Sequence, residues 1–231
     1  MEQLRNFGDE RQLAFCAYCG SGTETRDHVP SKVFLDEPYP ANLPVVPACQ
    51  SCNEGFSLDE EYVACLAECA VTGSVNADNV RRDKVRSILL RTPSLSSRLR
   101  QAGEVGEGTS LRIEPERVRN VVLKLARGHA AFELNEPQLD EPSHVAFVLL
   151  FSMTQEVRED FETPPRSSIL PEVGSRATQR LVVSEPGASV SSLWLIVQRG
   201  RYRYLTSVAG GVIVRVVIGE YLGCEVVWRD R

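Results

Sequence analysis

Four cysteines in two CxxC pairs, Cys16-Ala17-Tyr18-Cys19 and Cys49-Gln50-Ser51-Cys52, constrain this chain more than any other feature. A tight knuckle brings residues i and i+3 together, so each pair aims two sulfurs at one ion. Two pairs then close a tetrahedral shell around Zn²⁺ with no open position. The 29 residues between the pairs exceed the commonest ribbon spacing. Each pair is followed by a residue suited to a sharp turn or a helix start, Gly20 and Asn53. Thiols can also serve as small buried hydrophobes or as a redox pair, but the doubled spacing favours metal.

Between the knuckles lie Arg26-Asp27-His28-Val29-Pro30 and then Asn42-Leu43. Asp27-His28 is expected on a short strand, and Asn53 on the first turn of a helix starting near Cys49. Taken singly these residues are ordinary. Asp27 and His28 can form a surface pair, with Asp27 capping or pairing with Arg26, and Asn42 and Asn53 are common turn residues.

Taken together, CxxCG, DHxxP, NL and CxxCN resemble the HNH endonuclease family, whose fold is the ββα-metal finger. The likeness is to its zinc-bearing, treble-clef-like branch, which includes phage recombination endonuclease VII, and it covers about residues 14–62. It implies that His28 is the general base that takes a proton from water, a task suited to a neutral imidazole. It implies that Asp27 and Asn53 hold a catalytic Mg²⁺ or Mn²⁺, leaving positions for water and phosphate. Asn42 would tie the loop and orient the histidine. Cys16, Cys19, Cys49 and Cys52 would hold a structural Zn²⁺. The chain departs from the family at Glu54-Gly55-Phe56-Ser57, where many members carry a Lys or Arg.

That departure matters because the formal net charge is −5, and a phosphate footprint needs cations. The charge is uneven. Residues 1–80 hold 4 Lys+Arg against 13 Asp+Glu, residues 81–127 hold 12 against 5, and residues 128–231 hold 10 against 13. The basic middle could supply the phosphate contacts that the acidic finger lacks, or it could be a solvated helical face.

At 231 residues the chain suits one large or two small domains. No apolar run approaches 20 residues, so no membrane span is expected. Met1-Glu2-Gln3-Leu4-Arg5 lacks a signal-peptide core. Thiols that hold metal suit a reducing compartment, so a cytoplasmic location is expected. Cys65, Cys69 and Cys224 are expected as core fillers.

Ser57 and Glu60 suggest a capped helix start, with Tyr62, Val63, Leu66, Cys69 and Ala70 on its apolar face. Asp59, Glu60 and Glu61 could add a metal ligand, but at a helix start the dipole explains them more simply. A second helix is expected from Asp78 to Leu90, ending at Thr92-Pro93, and then a loop over Gly103 to Gly108. The third, Glu114 to Arg127, has Pro115 in its first turn and an apolar stripe of Val118, Val121, Val122, Leu125 and Ala126. Its Arg117, Arg119, Lys124 and Arg127 are expected to point away from that stripe. His129 is expected to be a packing or surface residue.

From about residue 143 the period changes to two. Val145–Phe151 reads as a buried strand, 152–177 as a long connection, and further strands are expected near 178–184, 191–199, 201–208, 211–218 and 223–228. Their short spacing argues for an antiparallel sheet with Val212–Ile218 central. Tyr202 and Tyr204 alternate with Arg201 and Arg203, a pattern that usually marks one wet face.

The expectation is therefore an α+β protein in three parts: an HNH-type metal finger over residues 1–75, a basic helical segment over 76–135 and a β-rich domain over 136–231. The expected activity is metal-dependent phosphodiester hydrolysis, on DNA ahead of RNA, with a homodimer suited to cutting both strands. The competing expectation is a non-catalytic zinc module that binds nucleic acid or protein.

Overall fold

The computed structural model describes residues 4–7, 14–102, 113–165, 172–183 and 193–229. It is a mixed α+β chain. Strands β1 (Thr25–His28) and β2 (Val45–Ala48) pair antiparallel, with Asp27 opposite Val46 and His28 opposite Val45. Helix α1 (Gln50–Gly55) follows β2 at once and runs into α2 (Ser57–Thr72). Ser57 is not a cap: the residue before α2 is Phe56, with helical φ −87° and ψ −15° and no side-chain cap, because the chain never leaves the helical region long enough to need one.

Helices α3 (Asp83–Arg91) and α4 (Pro93–Ala102) come next. The sequence places the first of these earlier, at Asp78, but residues 77–79 form a separate 3₁₀ turn capped by Asn76. Thr92 closes α3 and Pro93 opens α4, as a proline at a first helical position should. The Gly103–Gly108 loop lies outside the described residues.

Helix α5 (Pro115–Leu134) is the centre of the molecule. It runs a full turn and more past Arg127 and ends at Asn135, which takes the left-handed conformation at φ 56°. It packs against α2 on one side and the large sheet on the other, so it buries residues nearly all round, including Val121, Val122, Leu125, Lys124 and His129. Its Gly128 lets it approach the end of β1: a Cβ there would lie 2.6 Å from Val29 Cγ2.

The C-terminal sheet has five strands: β3 (His144–Leu149), β4 (Leu195–Gln198), β5 (Tyr202–Val208), β6 (Gly211–Ile218) and β7 (Leu222–Arg229). Their order is β3-β7-β6-β5-β4 and every pairing is antiparallel. The apolar run Val212–Ile218 is the central strand, as its composition suggests.

Three expectations for this half are corrected. Val145–Phe151 is not a buried strand: β3 has a single neighbour, is half-exposed, and ends before Phe151, which lies exposed in a 3₁₀ turn. The connection over 152–177 contains α6 (Gln155–Glu162), whose first turn is capped by Thr154 Oγ1 accepting from Val157 N. The strand expected near 178–184 is the helix α7 (Arg176–Val183). Leu181-Val182-Val183 is too short an apolar run to distinguish strand from helix, and Ser175 Oγ accepts from Thr178 N where α7 begins.

One cluster of buried side chains runs from Cys16 to Trp228 and draws on all three expected segments. Cys65, Cys69 and Cys224 are buried within it, as core fillers should be. Among the described residues no helix is long and apolar enough to cross a membrane.

The uneven charge is also explained by packing. Acidic residues of the N-terminal segment meet cations of the middle segment: Asp36 with Arg82, Asp59 with Arg117, Glu61 with Arg91, and both Asp27 and Glu60 with Lys124. Arg82 and Lys124 are buried by this pairing, whereas the Arg91 side chain stays 59% exposed. Asp59, Glu60 and Glu61 are not simply dipole-compensating residues; each has a partner cation.

Candidate functional site

The two knuckles come together. The Sγ atoms of Cys16, Cys19, Cys49 and Cys52 all lie within 4.8 Å of one another. The first knuckle is a turn closed by Gly20 N donating to Cys16 O, with Gly20 itself at φ 74°. In the second, Cys49 caps α1, its sulfur accepting from Cys52 N at 3.4 Å. Cys19 and Cys49 have their sulfurs 3.7 Å apart. A disulfide would require about 2.05 Å, whereas Zn–S bonds of about 2.3 Å in a tetrahedron place sulfurs about 3.8 Å apart. The set is therefore able to hold a metal such as zinc.

Local polarity lowers the thiol pKa at two of the four positions. Hydrogen bonds from Ser51 and from the Cys52 backbone bring the Cys49 thiol down to about 6. Bonds from Ser21 lower Cys19, while burial raises Cys16 and Cys52. Binding a metal here would release the remaining protons.

Strand β1 carries the other residues singled out by the sequence, and its pleat turns successive side chains to opposite faces. His28 is half-buried. Burial and the charge of Lys32 lower its pKa, against an opposing pull from Asp27. Its Nδ1 is buried and has no hydrogen-bond partner among the described residues. Asn53, on α1, donates from Nδ2 to Thr25 Oγ1 at 3.1 Å and to Arg26 O at 3.4 Å, so the amide group is pinned to β1. Asn42 lies exposed in the turn before β2.

Asp27 faces inward and is buried. Its Oδ2 accepts from Tyr18 OH at 2.8 Å and lies 2.7 Å from Lys124 Nζ. The same ammonium donates to Glu60 Oε1 at 2.5 Å and to Ser31 Oγ at 2.9 Å, and Ser31 Oγ donates to Glu60 Oε1. Burial raises the Glu60 pKa against the opposing pull of Lys124, and burial with the Asp27 charge beside it raises Tyr18.

Sequence reasoning missed this cluster because its members come from a knuckle, a strand, a loop and two helices. Lys124, expected off the apolar stripe of α5, is buried all the same: its side chain is 1% exposed. One signal was present. In Val121-Val122-Leu123-Lys124-Leu125-Ala126 the lysine has apolar neighbours on both sides, the pattern of a helix buried all round.

The histidine in α5 is also inside. His129 is 0% exposed, has Nε2 2.7 Å from Tyr202 OH, and stacks on Tyr204 at 3.6 Å. Tyr202 and Tyr204 thus form the dry face of β5, while Arg203 on the other face pairs with Glu162 and Glu220. An apolar groove of about 220 Å³ lies elsewhere, between α2, α5 and the β3 edge, lined by residues such as Val63, Leu66, Phe147 and Leu222.

Comparison with protein-family models, with curated proteins and with solved structures finds no match.

Proposed function

We propose that the N-terminal segment is a zinc-stapled nuclease centre of the HNH kind, hydrolysing phosphodiester bonds in DNA. The observation that carries this reading is the His28 imidazole. It is half-buried on β1, and burial and the charge of Lys32 lower its pKa against the pull of Asp27. A lowered pKa favours the neutral imidazole that a general base requires. The order β1–β2–α1, closed by four thiols and tied by Asn53 to β1, supports a ββα-metal finger.

In this reading Zn²⁺ is structural, and the residues fit it. His28 takes the proton from the attacking water, and Asn42 steadies the turn before β2. A divalent ion on Asp27, which would polarise the phosphoryl oxygen, does not fit that residue as it is placed. The Asp27 carboxylate is held by Lys124 and Tyr18, whereas the Asn53 bonds to β1 are donated by Nδ2 and do not engage its Oδ1.

That ion pair favours a second reading, a zinc module that binds nucleic acid or protein without cutting it. The test is cleavage of supercoiled plasmid in Mg²⁺ or Mn²⁺, wild type beside His28→Ala, with zinc content matched. Nicking or linearisation that falls by about 10²-fold or more in the variant is expected. Equal cleavage by both proteins would remove His28 as the base. Cleavage of neither plasmid nor RNA by the folded, zinc-loaded protein would leave the binding module.

A further inference from the structure

We infer that Lys124 is the resident cation of a site formed by Asp27, Glu60 and Ser31, and that its ammonium takes the place on Asp27 where the nuclease reading expects a divalent ion. The inference rests on that reading only for the choice of Asp27 as the expected ligand.

The geometry is that of a small cation in an oxygen shell. Three oxygens from three different segments lie 2.5–2.9 Å from one nitrogen: Glu60 Oε1, Asp27 Oδ2 and Ser31 Oγ. The ammonium donates hydrogen bonds to Glu60 and Ser31 and forms an ion pair with Asp27. The rings of Tyr18 and Phe56 lie 5.8 and 5.5 Å from the same nitrogen and complete the enclosure. A lysine head normally reaches for water; this one, on the side of α5 that meets β1 and α2, does not.

Charge explains why it stays. Asp27 and Glu60 are two buried carboxylates sharing one cation, and Tyr18 adds a hydroxyl donor to Asp27. Taking Lys124 away leaves two acidic side chains, both already converging on one point, with hard oxygen donors of the kind that suit Mg²⁺ or Mn²⁺. The lysine and a divalent ion are thus competing occupants, and the wild-type chain is built around the lysine.

The experiment uses the full chain, zinc-loaded, and Mn²⁺ alone as probe, with free Mn²⁺ counted by electron paramagnetic resonance. Lys124→Met is expected to bind Mn²⁺ at least tenfold more tightly than wild type and to gain thermal stability from millimolar Mn²⁺ that wild type does not. Asp27→Asn added to Lys124→Met should abolish the gain, and Lys124→Arg should not produce it. If two bare carboxylates prevent folding, Lys124→Met with Glu60→Gln carries the test, and the same tenfold gain is expected through Asp27. Mn²⁺ affinity no higher in the folded lysine-less variants than in wild type would overturn the inference, even if wild type cuts DNA. A gain in affinity beside a wild type that cuts nothing would keep the inference and remove the nuclease.

Discussion

Two clusters of ligand-type side chains lie close together, joined through Tyr18, and they are built in opposite ways. The four thiols come from two local turns, each held by its own backbone bonds, and they gather around a point that a metal fits. The cluster of Asp27, Glu60 and Lys124 comes from β1, α2 and α5 and carries its own cation. The first needs an ion from outside to balance its thiolates. The second is complete as folded, at the cost of burying three charged groups. A site that needs an ion is open to chelation and loading. One that holds a lysine is insulated from both.

The largest effect should come from the thiols. Cys16→Ser is expected to lose the zinc, about one equivalent per chain, and to lower Tm by about 10 °C or more, because structural zinc supplies folding free energy of about 10 kcal/mol in small domains. Metal analysis beside thermal denaturation checks this. Zinc retained at full occupancy would mean that the four sulfurs are not the ligands.

Next comes the lysine. Lys124→Met is expected to cost about 3–5 kcal/mol, since breaking a buried pair strands the remaining charges, yet to leave zinc content unchanged. Loss of zinc together with stability would show that the two clusters are one cooperative unit and would blur the contrast.

Gly128 offers a gentler probe of the same packing. It lies one turn beyond Lys124 on α5 and rests on Val29, two residues past Asp27. Gly128→Ala should cost about 1–3 kcal/mol by overpacking, with part recovered by adding Val29→Ala. Absence of any such recovery would mean that this close approach does not set the helix position.

The smallest effect is in mild acid. His129 is wholly buried, and burial pushes its pKa well below the ordinary value. The unfolded chain then binds the proton more readily, so the contribution of His129 is fully present above about pH 6.5 and is lost as pH falls toward its folded pKa. Its neighbours are Tyr202, Tyr204 and, through Tyr204, Glu133 with Arg180. His129→Gln should flatten the loss of Tm between about pH 6.5 and 5. An unchanged slope would place the acid sensitivity elsewhere.

Some elements were legible because the chemistry that makes them is local. The CxxC spacing announces the four-thiol cluster, Pro115 announces the start of α5, and the unbroken apolar run of Val212–Ile218 announces the central strand. Others were not legible for the same reason turned round. Ser57 looks like a cap only when Phe56 is not known to be helical. Residues 176–183 form a helix, yet the short run Leu181-Val182-Val183 reads equally well as a strand. The exposure of β3 follows from its place at the sheet edge, which no window of sequence contains.

The basic middle segment is the plainest case. Its charge invites a phosphate partner, but Arg82, Arg91, Arg117 and Lys124 meet acids that lie tens of residues earlier in the chain. By itself the sequence determined the four-thiol cluster that could hold a metal, the α+β character and the antiparallel sheet, because each follows from spacing or period over a few residues. Only the tertiary structure decided that Asp27 belongs to Lys124 and that His28 is left with a nitrogen unpartnered among the described residues. Charges are balanced through space, and which charges meet is settled by how α5 packs against β1 and α2.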